Sequence, residues 1–219
     1  MPFIALQPHV SFGRVGDRPV FLDLARDRYL ALDEPRDASF RRLGDGSLPL
    51  TTAEVEALLA TGLFRSSGAP ASLDAAAAPA PTGSLLDDPL PRPRLLAAAR
   101  AQLLLIEMRR RLKSTALHTI IDRLKAERAD ARNTHDPGRC AASADDFLAA
   151  RMMLPRARSC LPDSLALIEW LRPQSLFPTL VFGVKLHPFK AHCWVQAGGL
   201  LLADSVDAVA EFTPVLVIE

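Results

Sequence analysis

Hydrophobic positions change period along the chain, and each change predicts a different kind of element. HVSFGRV (9–15) reads as a strand, with a turn at Gly16-Asp17. Beyond it Val20, Leu22 and Leu24 share one strand face, Arg26-Asp27 makes a second turn, and Tyr29 and Leu30 restart the pattern. Period-two alternation broken by such turns predicts a three-stranded meander. Two helical patterns follow. ASFRRLGDG (38–46) stops on glycines. TTAEVEALLATGLF (51–64) opens on Thr51 with Glu54 three residues later, a capping-box signature, and ends near Gly62. Three strands and then two or three helices predict a small winged-helix-like domain.

Periodicity is then lost. SSGAPASLDAAAAPAPTGSLLDDPLPRP (66–93) is rich in Ala, Pro, Ser and Gly and reads as a linker. It divides the chain into units at 1–65 and 94–219. From 94 to 128 apolar residues recur at Leu95, Leu96, Ala99, Leu103, Ile106, Leu112, Leu117, Ile120, Ile121 and Leu124, which predicts one long helix or two short ones. The stretch LLAAARAQLLLIEM reads as a buried core helix, and Arg109, Arg110, Arg111 and Lys113 read as its solvated face. Residues 129–143 read as a loop holding His135 and Cys140, a pairing that loops produce by chance. ADDFLAARMM (144–153) reads as a helix.

The next apolar run, CLPDSLALIEWLR, places Leu161, Leu165, Ile168 and Leu171 on one stripe. Pro162 is tolerated only in a first turn, which sets the helix start at Ser159–Cys160. Asp163 suits the positive end of the helix dipole. A free cysteine is most often a small buried hydrophobe. At a helix start, with Arg156 and Arg158 nearby, it is instead placed to ionise. Pro173 ends the helix. PTLVFGVKL (178–186) is a strand, HPFKA a loop, HCWVQ (192–196) a strand, AGG a turn and LLLAD (200–204) a strand. A three-residue Ala-Gly-Gly loop would pair Gln196 with Leu200, Trp194 with Leu202 and His192 with Asp204, setting imidazole and carboxylate opposite one another. A two-residue loop would put them on opposite faces. Asp207 and Asp163 compete for the role of Asp204, and His187 reads as a loop residue.

Composition narrows the functional classes. The chain has 219 residues, 49% hydrophobic and 23% charged, enough to bury a core. A formal charge of +1 argues against nucleic-acid binding driven by overall charge. Three widely spaced cysteines, Cys140, Cys160 and Cys193, make neither a disulfide framework nor a zinc site, and they fit a reducing cytoplasm. There is no signal-peptide pattern and no apolar run long enough to span a membrane. A cytoplasmic protein without membrane association is expected.

Cysteine, histidine and aspartate in this order, on a helix start and two following strands, give the papain and transglutaminase-like arrangement. Cys160 would be nucleophile, His192 general base and then acid, and Asp204 the group that orients the imidazole. The Cys160 N–H would be one oxyanion donor. CLPDSLAL, VFGVKLHPFKAHCWVQ and LLLAD together resemble the lasso-peptide B protein, a transglutaminase-like leader peptidase. In this chain Cys193 stands where alanine is more usual and reads as a core thiol. Gln196 stands in place of a more usual glutamate. Residues 5–65, with V-x-F, V-x-LDL, D-x-Y-x-x-L and L-L-x-x-G-L, resemble the RiPP recognition element, which captures a leader peptide as an added sheet strand. A small regulatory or dimerisation domain is the plainer reading of that unit.

The two resemblances imply an α+β fold and a cysteine endopeptidase that cuts leader from core. On this reading the leader adds to the strand edge at Tyr29, Leu30 and Leu32, facing Val55, Leu58 and Leu59. A precursor peptide and an asparagine-synthetase-like cyclase are the implied partners, and no metal or organic cofactor is implied. An acyl transferase on the same fold and a non-catalytic peptide-binding scaffold remain open as other classes.

Overall fold

The computed structural model describes residues 3–45, 49–130, 136–155 and 157–219. His135 and Arg156 lie outside them. The chain forms two compact units, one of residues 1–77 with 213–216, the other of 78–212 with 217–219.

In the first unit the meander is β2 (Val10–Val15), β3 (Arg18–Asp23) and β4 (Arg28–Ala31). Phe12 pairs with Phe21, and Leu22 with Tyr29. The expected turns hold. Gly16 supplies a positive φ of 59°, and Asp27 one of 48°. Two further strands lie outside the expected meander: β1 (Phe3–Leu6) pairs antiparallel with β5 (Phe64–Ser67). Helix α1 covers Glu34–Asp45 and so begins earlier than the 38–46 expected. The Asp33 carboxylate accepts from Arg36 N–H at 3.3 Å, and Pro35 sits in the first turn. Helix α2 (Thr52–Leu59) has the expected capping box: Thr51 accepts from the Glu54 N–H at 3.3 Å and Glu54 from the Thr51 N–H at 2.8 Å.

Phe12, Phe21, Phe40 and Phe64 meet at the centre of this unit with ring centroids 5.1–5.7 Å apart. Leu32 and Leu58 belong to the same core. With Leu58 fully covered and Leu32 nearly so, neither is free to meet a peptide. That corrects their expected role, whereas Tyr29, Leu30, Val55 and Leu59 are half-buried.

The expected 66–93 linker also needs correction. Leu73 and Ala75 pack on the first unit's core, and Ala76 N–H donates to the Phe12 carbonyl at 2.7 Å. Further on, β6 (Gly83–Ser84) adds to a sheet and Leu85–Asp87 form a 3-10 turn with Leu85 buried. The division between units falls inside the segment, after Ala77.

The second unit packs α3 (Leu95–Ser114), α5 (Pro137–Met152) and α6 (Cys160–Leu171) together, with α4 (Leu117–Asp130) following a break at Thr115–Ala116. Helix α5 occupies part of the expected 129–143 loop. Asp136 caps it through Arg139 N–H at 3.0 Å, Pro137 opens it, and Cys140 is buried in its first turns. Helix α3 is not buried as expected. Its covered face is Ala98, Ala101, Leu105 and Met108, while Leu95, Leu96, Leu103 and Ile106 are exposed. Small residues let α3 approach α6 closely, so the leucine stripe faces outward. Helix α6 lies against β8 (Phe189–Ala197), with Leu165, Ile168 and Leu171 buried. The sheet runs β10 (Thr213–Ile218), β7 (Thr179–Leu186), β8, β9 (Leu200–Leu201), β6. A short helix α7 (Val206–Ala210) follows β9. Among the described residues no helix is long and apolar enough to cross a membrane.

Candidate active site

Helix α6 begins where its proline requires. Ser159 is the cap residue and Cys160 the first helical residue. The Ser159 side chain makes no capping bond, and Asp163 instead reaches back to accept the Ser159 N–H at 2.7 Å. Arg151 of α5 is buried, pairs with Asp163, and donates to the Ala157 carbonyl at 3.2 Å. A buried guanidinium needs such partners, and here they fix both the loop before Cys160 and the start of α6. Asp163 is therefore committed to Arg151 and the helix start, not to His192.

His192 on β8 meets Asp204, with Nε2 3.0 Å from Asp204 Oδ1. The route differs from the one expected. Ala197 pairs with Leu200 and Gln196 with Leu201, so the turn is the two-residue Gly198-Gly199, with Gly198 at a φ of 61°. A regular ladder in that register would set Asp204 against Cys193. Instead β9 stops at Leu201 and residues 202–204 bend. Ser84 Oγ–H donates to the Asp204 carbonyl at 2.7 Å and holds the bend. The carboxylate thereby returns to the His192 side.

Cys160 and His192 line the same cleft, and each shifts the titration of the other. Since Nε2 faces Asp204, Nδ1 is the nitrogen left for the sulfur. The Cys160 thiol is pulled from 9.0 down to about 4 by hydrogen bonds from the Cys193 S–H and from His192, with the Cys193 N–H adding to them against burial. His192 is raised from 6.5 to about 9 by its bonds to Asp204 and Cys160, again against burial. Thiolate and imidazolium are the paired forms at neutral pH.

Further residues complete the site that sequence reasoning did not assign to it. Trp194 stacks beside His192 with centroids 6.1 Å apart, and Phe212 packs on it at 5.4 Å. Gly183 lies opposite His192 in the β7–β8 ladder and leaves room for the Trp194 ring. Gln196 is buried; it accepts from Trp194 Nε1 at 2.8 Å and donates to the carbonyls of Pro79 at 2.9 Å and Gly198 at 2.8 Å. Cys193 is buried with its thiol toward Cys160 and Ser164, which makes it more than the core filler expected. His187 sits in the β7–β8 turn.

Cys160, His192 and Asp204 open onto a cleft of about 330 Å³ whose walls include Phe147, Leu148 and Arg158. A larger groove of about 610 Å³ is lined by Leu86, Leu90, Pro91, Met152 and Met153, and among the described residues it holds one carboxylate, Asp88, and no nucleophile. The smaller cleft is the one that brings a thiol, an imidazole and a carboxylate together. A family model described as the transglutaminase-like superfamily matches residues 102–217. No curated protein and no solved structure matches the chain.

Proposed function

Because the chain belongs to the transglutaminase-like superfamily, whose members typically carry cysteine-protease or acyltransferase-like chemistry, we propose that it is a cysteine endopeptidase that removes the leader of a ribosomal precursor peptide in lasso-peptide maturation. The observation that carries the reading is the Cys160–His192–Asp204 relay at the mouth of a cleft, with the thiol held near pKa 4 and the imidazole near 9.

On this reading the Cys160 thiolate attacks the scissile carbonyl, and the Cys160 N–H at the start of α6 donates to the developing oxyanion. His192 gives its Nδ1 proton to the leaving amine and then takes one from the water that cleaves the thioester. Asp204 holds the ring orientation and stabilises the imidazolium. None of these steps calls on a cofactor.

The first unit serves as the leader-binding module. Strand β4 is an edge of its three-stranded sheet, and an edge strand offers unpaired N–H and C=O groups to an added strand. Tyr29, Leu30, Val55 and Leu59 are the side chains for that contact. Tethering the leader raises the effective concentration of the scissile bond at Cys160. The freed core amine is the substrate of an asparagine-synthetase-like cyclase in the same cytoplasm.

The test is incubation with a candidate precursor peptide and mass analysis of the products. Hydrolysis yields a core and a leader whose masses sum to the precursor plus one water, and Cys160→Ala abolishes it while still binding the leader. Products joined to an added amine, without water, would instead assign an acyl transferase. Processing by Cys160→Ala would remove the nucleophile assignment, and leader binding without cleavage by the intact protein would leave only the scaffold reading.

A further inference from the structure

The mechanism uses one thiol, but two meet at the site. Cys193 follows His192 on β8, and successive strand residues face opposite ways. His192 therefore turns toward Trp194 and Phe212, and Cys193 turns toward α6. Its sulfur lies 3.9 Å from Ser164 Oγ, and Ser164 donates to the Cys193 carbonyl at 3.4 Å. Ser164 is one helical turn beyond Cys160, on the same face of α6. The column formed by Cys160 and Ser164 thus runs over Cys193. The two thiols are also coupled electrostatically, the Cys193 side chain being the largest influence that lowers the Cys160 thiol. Cys160 is exposed and Cys193 is buried, so an oxidant from solvent reaches the first sulfur while the second waits beneath it.

We propose that Cys193 is the resolving thiol of an oxidative modification site, capturing peroxide-oxidised Cys160 as a reversible intramolecular Cys160–Cys193 disulfide. The proposal stands apart from the peptidase reading, because it needs only the two sulfurs and a peroxide. In the first step the Cys160 thiolate attacks one peroxide oxygen. The O–O bond breaks, sulfur gives up two electrons, and the product is a sulfenic acid with water after protonation. In the second step the Cys193 sulfur attacks the Cys160 sulfur. The S–O bond breaks, the S–S bond forms, and the hydroxyl leaves as water with the Cys193 proton. Two thiols and one hydrogen peroxide become one disulfide and two waters.

The environment favours this order. While Cys160 is a thiolate, its charge and hydrogen bond hold Cys193 firmly protonated. Conversion of Cys160 to a neutral sulfenic acid removes that restraint at the moment Cys193 must act. Closing the contact to a bond of about 2.05 Å requires a movement of one sulfur toward the other. Cys160 lies at the exposed first residue of α6 and can supply it. Cys140, buried within α5, is not a member of this contact. Its neighbours are Asp136, Arg139 and Arg128.

The experiment treats the full-length protein with hydrogen peroxide, blocks remaining thiols with N-ethylmaleimide, and maps tryptic peptides by mass spectrometry. Cleavage after Arg158, Lys185 and Lys190 leaves Cys160 and Cys193 in the separate peptides 159–185 and 191–219. Wild type should yield these two joined, lighter by two hydrogens, and dithiothreitol should separate them. Cys193→Ser and Cys193→Ala should give no joined peptide and should carry Cys160 on to sulfinic acid, which dithiothreitol does not restore. Cys140→Ala should form the link as wild type does. Sulfinic Cys160 in wild type with Cys193 still free, or a link from Cys160 to Cys140, would overturn the proposal. The wild-type map decides by itself should the buried Cys193 variants fail to fold.

Discussion

His192 Nε2 and Asp204 Oδ1 lie 3.0 Å apart although the β8–β9 ladder does not pair them. The ladder ends at Leu201, and the bend that follows, rather than strand register, delivers the carboxylate. The pair therefore depends on whatever holds the bend, and the Ser84 hydroxyl on the Asp204 carbonyl is one such hold.

Replacing Ser84 with alanine removes its bond to the Asp204 carbonyl and its cap on the Leu86 N–H, each worth about 1 kcal/mol, without touching a reacting group. The bend loosens and His192 loses part of the support for its imidazolium. The alkaline limb of the pH–rate profile should move below about 9, the position set by His192, while the acid limb stays in place. Unchanged limbs in Ser84→Ala would show that the bend holds without this bond.

Asp204→Asn keeps the shape and removes the charge. With the carboxylate gone, the imidazole falls back toward its ordinary value of 6.5 and the ring loses its fixed tautomer. Turnover should drop on the order of 10²–10⁴-fold, with a smaller change in KM. Full activity in this variant would assign the orienting role elsewhere, Asp207 being the other acid on this stretch.

Gln196 shows why an amide occupies its position. Its nitrogen donates to two carbonyls and its oxygen accepts from Trp194. In Gln196→Glu a carboxylate oxygen faces the Pro79 and Gly198 carbonyls. The cost is about 3 kcal/mol at neutral pH. Burial beside two carbonyls raises the new carboxyl's pKa, so the destabilisation is present above that pKa and eases as pH falls and the group protonates. Denaturant midpoints at acid and neutral pH measure this. Equal midpoints for variant and wild type at neutral pH would contradict it.

Gly183 is required by space rather than by backbone freedom. A Cβ there would fall 2.6 Å from Trp194 Cζ3 and 2.8 Å from Cη2. Gly183→Ala must displace the indole that stacks on His192, at a cost of about 1–3 kcal/mol. Lower thermal stability together with lower turnover is expected, read by calorimetry and by peptide cleavage. A wild-type melting temperature would show that the ring yields freely.

What was legible in the sequence followed from local rules. Pro162 dated the start of α6, Thr51 and Glu54 that of α2, and glycine and aspartate the turns of the meander. Order and residue type single out Cys160, His192 and Asp204 but not how they meet, because the approach of Asp204 to His192 depends on an irregular bend held by Ser84 from a segment that reads as linker. Asp136-Pro137, a cap followed by a first-turn proline, marks the start of α5 inside a stretch that otherwise reads as loop. Apolar periodicity on α3 identified a helix but not which stripe is buried, since Ala98 and Ala101 permit closer packing than the leucines do. Cys193 was invisible for a similar reason: alternation says which way it points, not that Cys160 lies there.

The thiolate–imidazolium pair is the centre of the account, and the rate of Cys160 alkylation by iodoacetamide against pH tests it most directly. The Cys160 thiol is pulled down to about 4 and His192 up to about 9. The rate should rise through a midpoint near 4 and stay high across neutral pH, and His192→Ala should move that midpoint upward. A rate that is low at neutral pH and rises only near 9, the ordinary thiol value, with no effect of His192→Ala, would contradict the account.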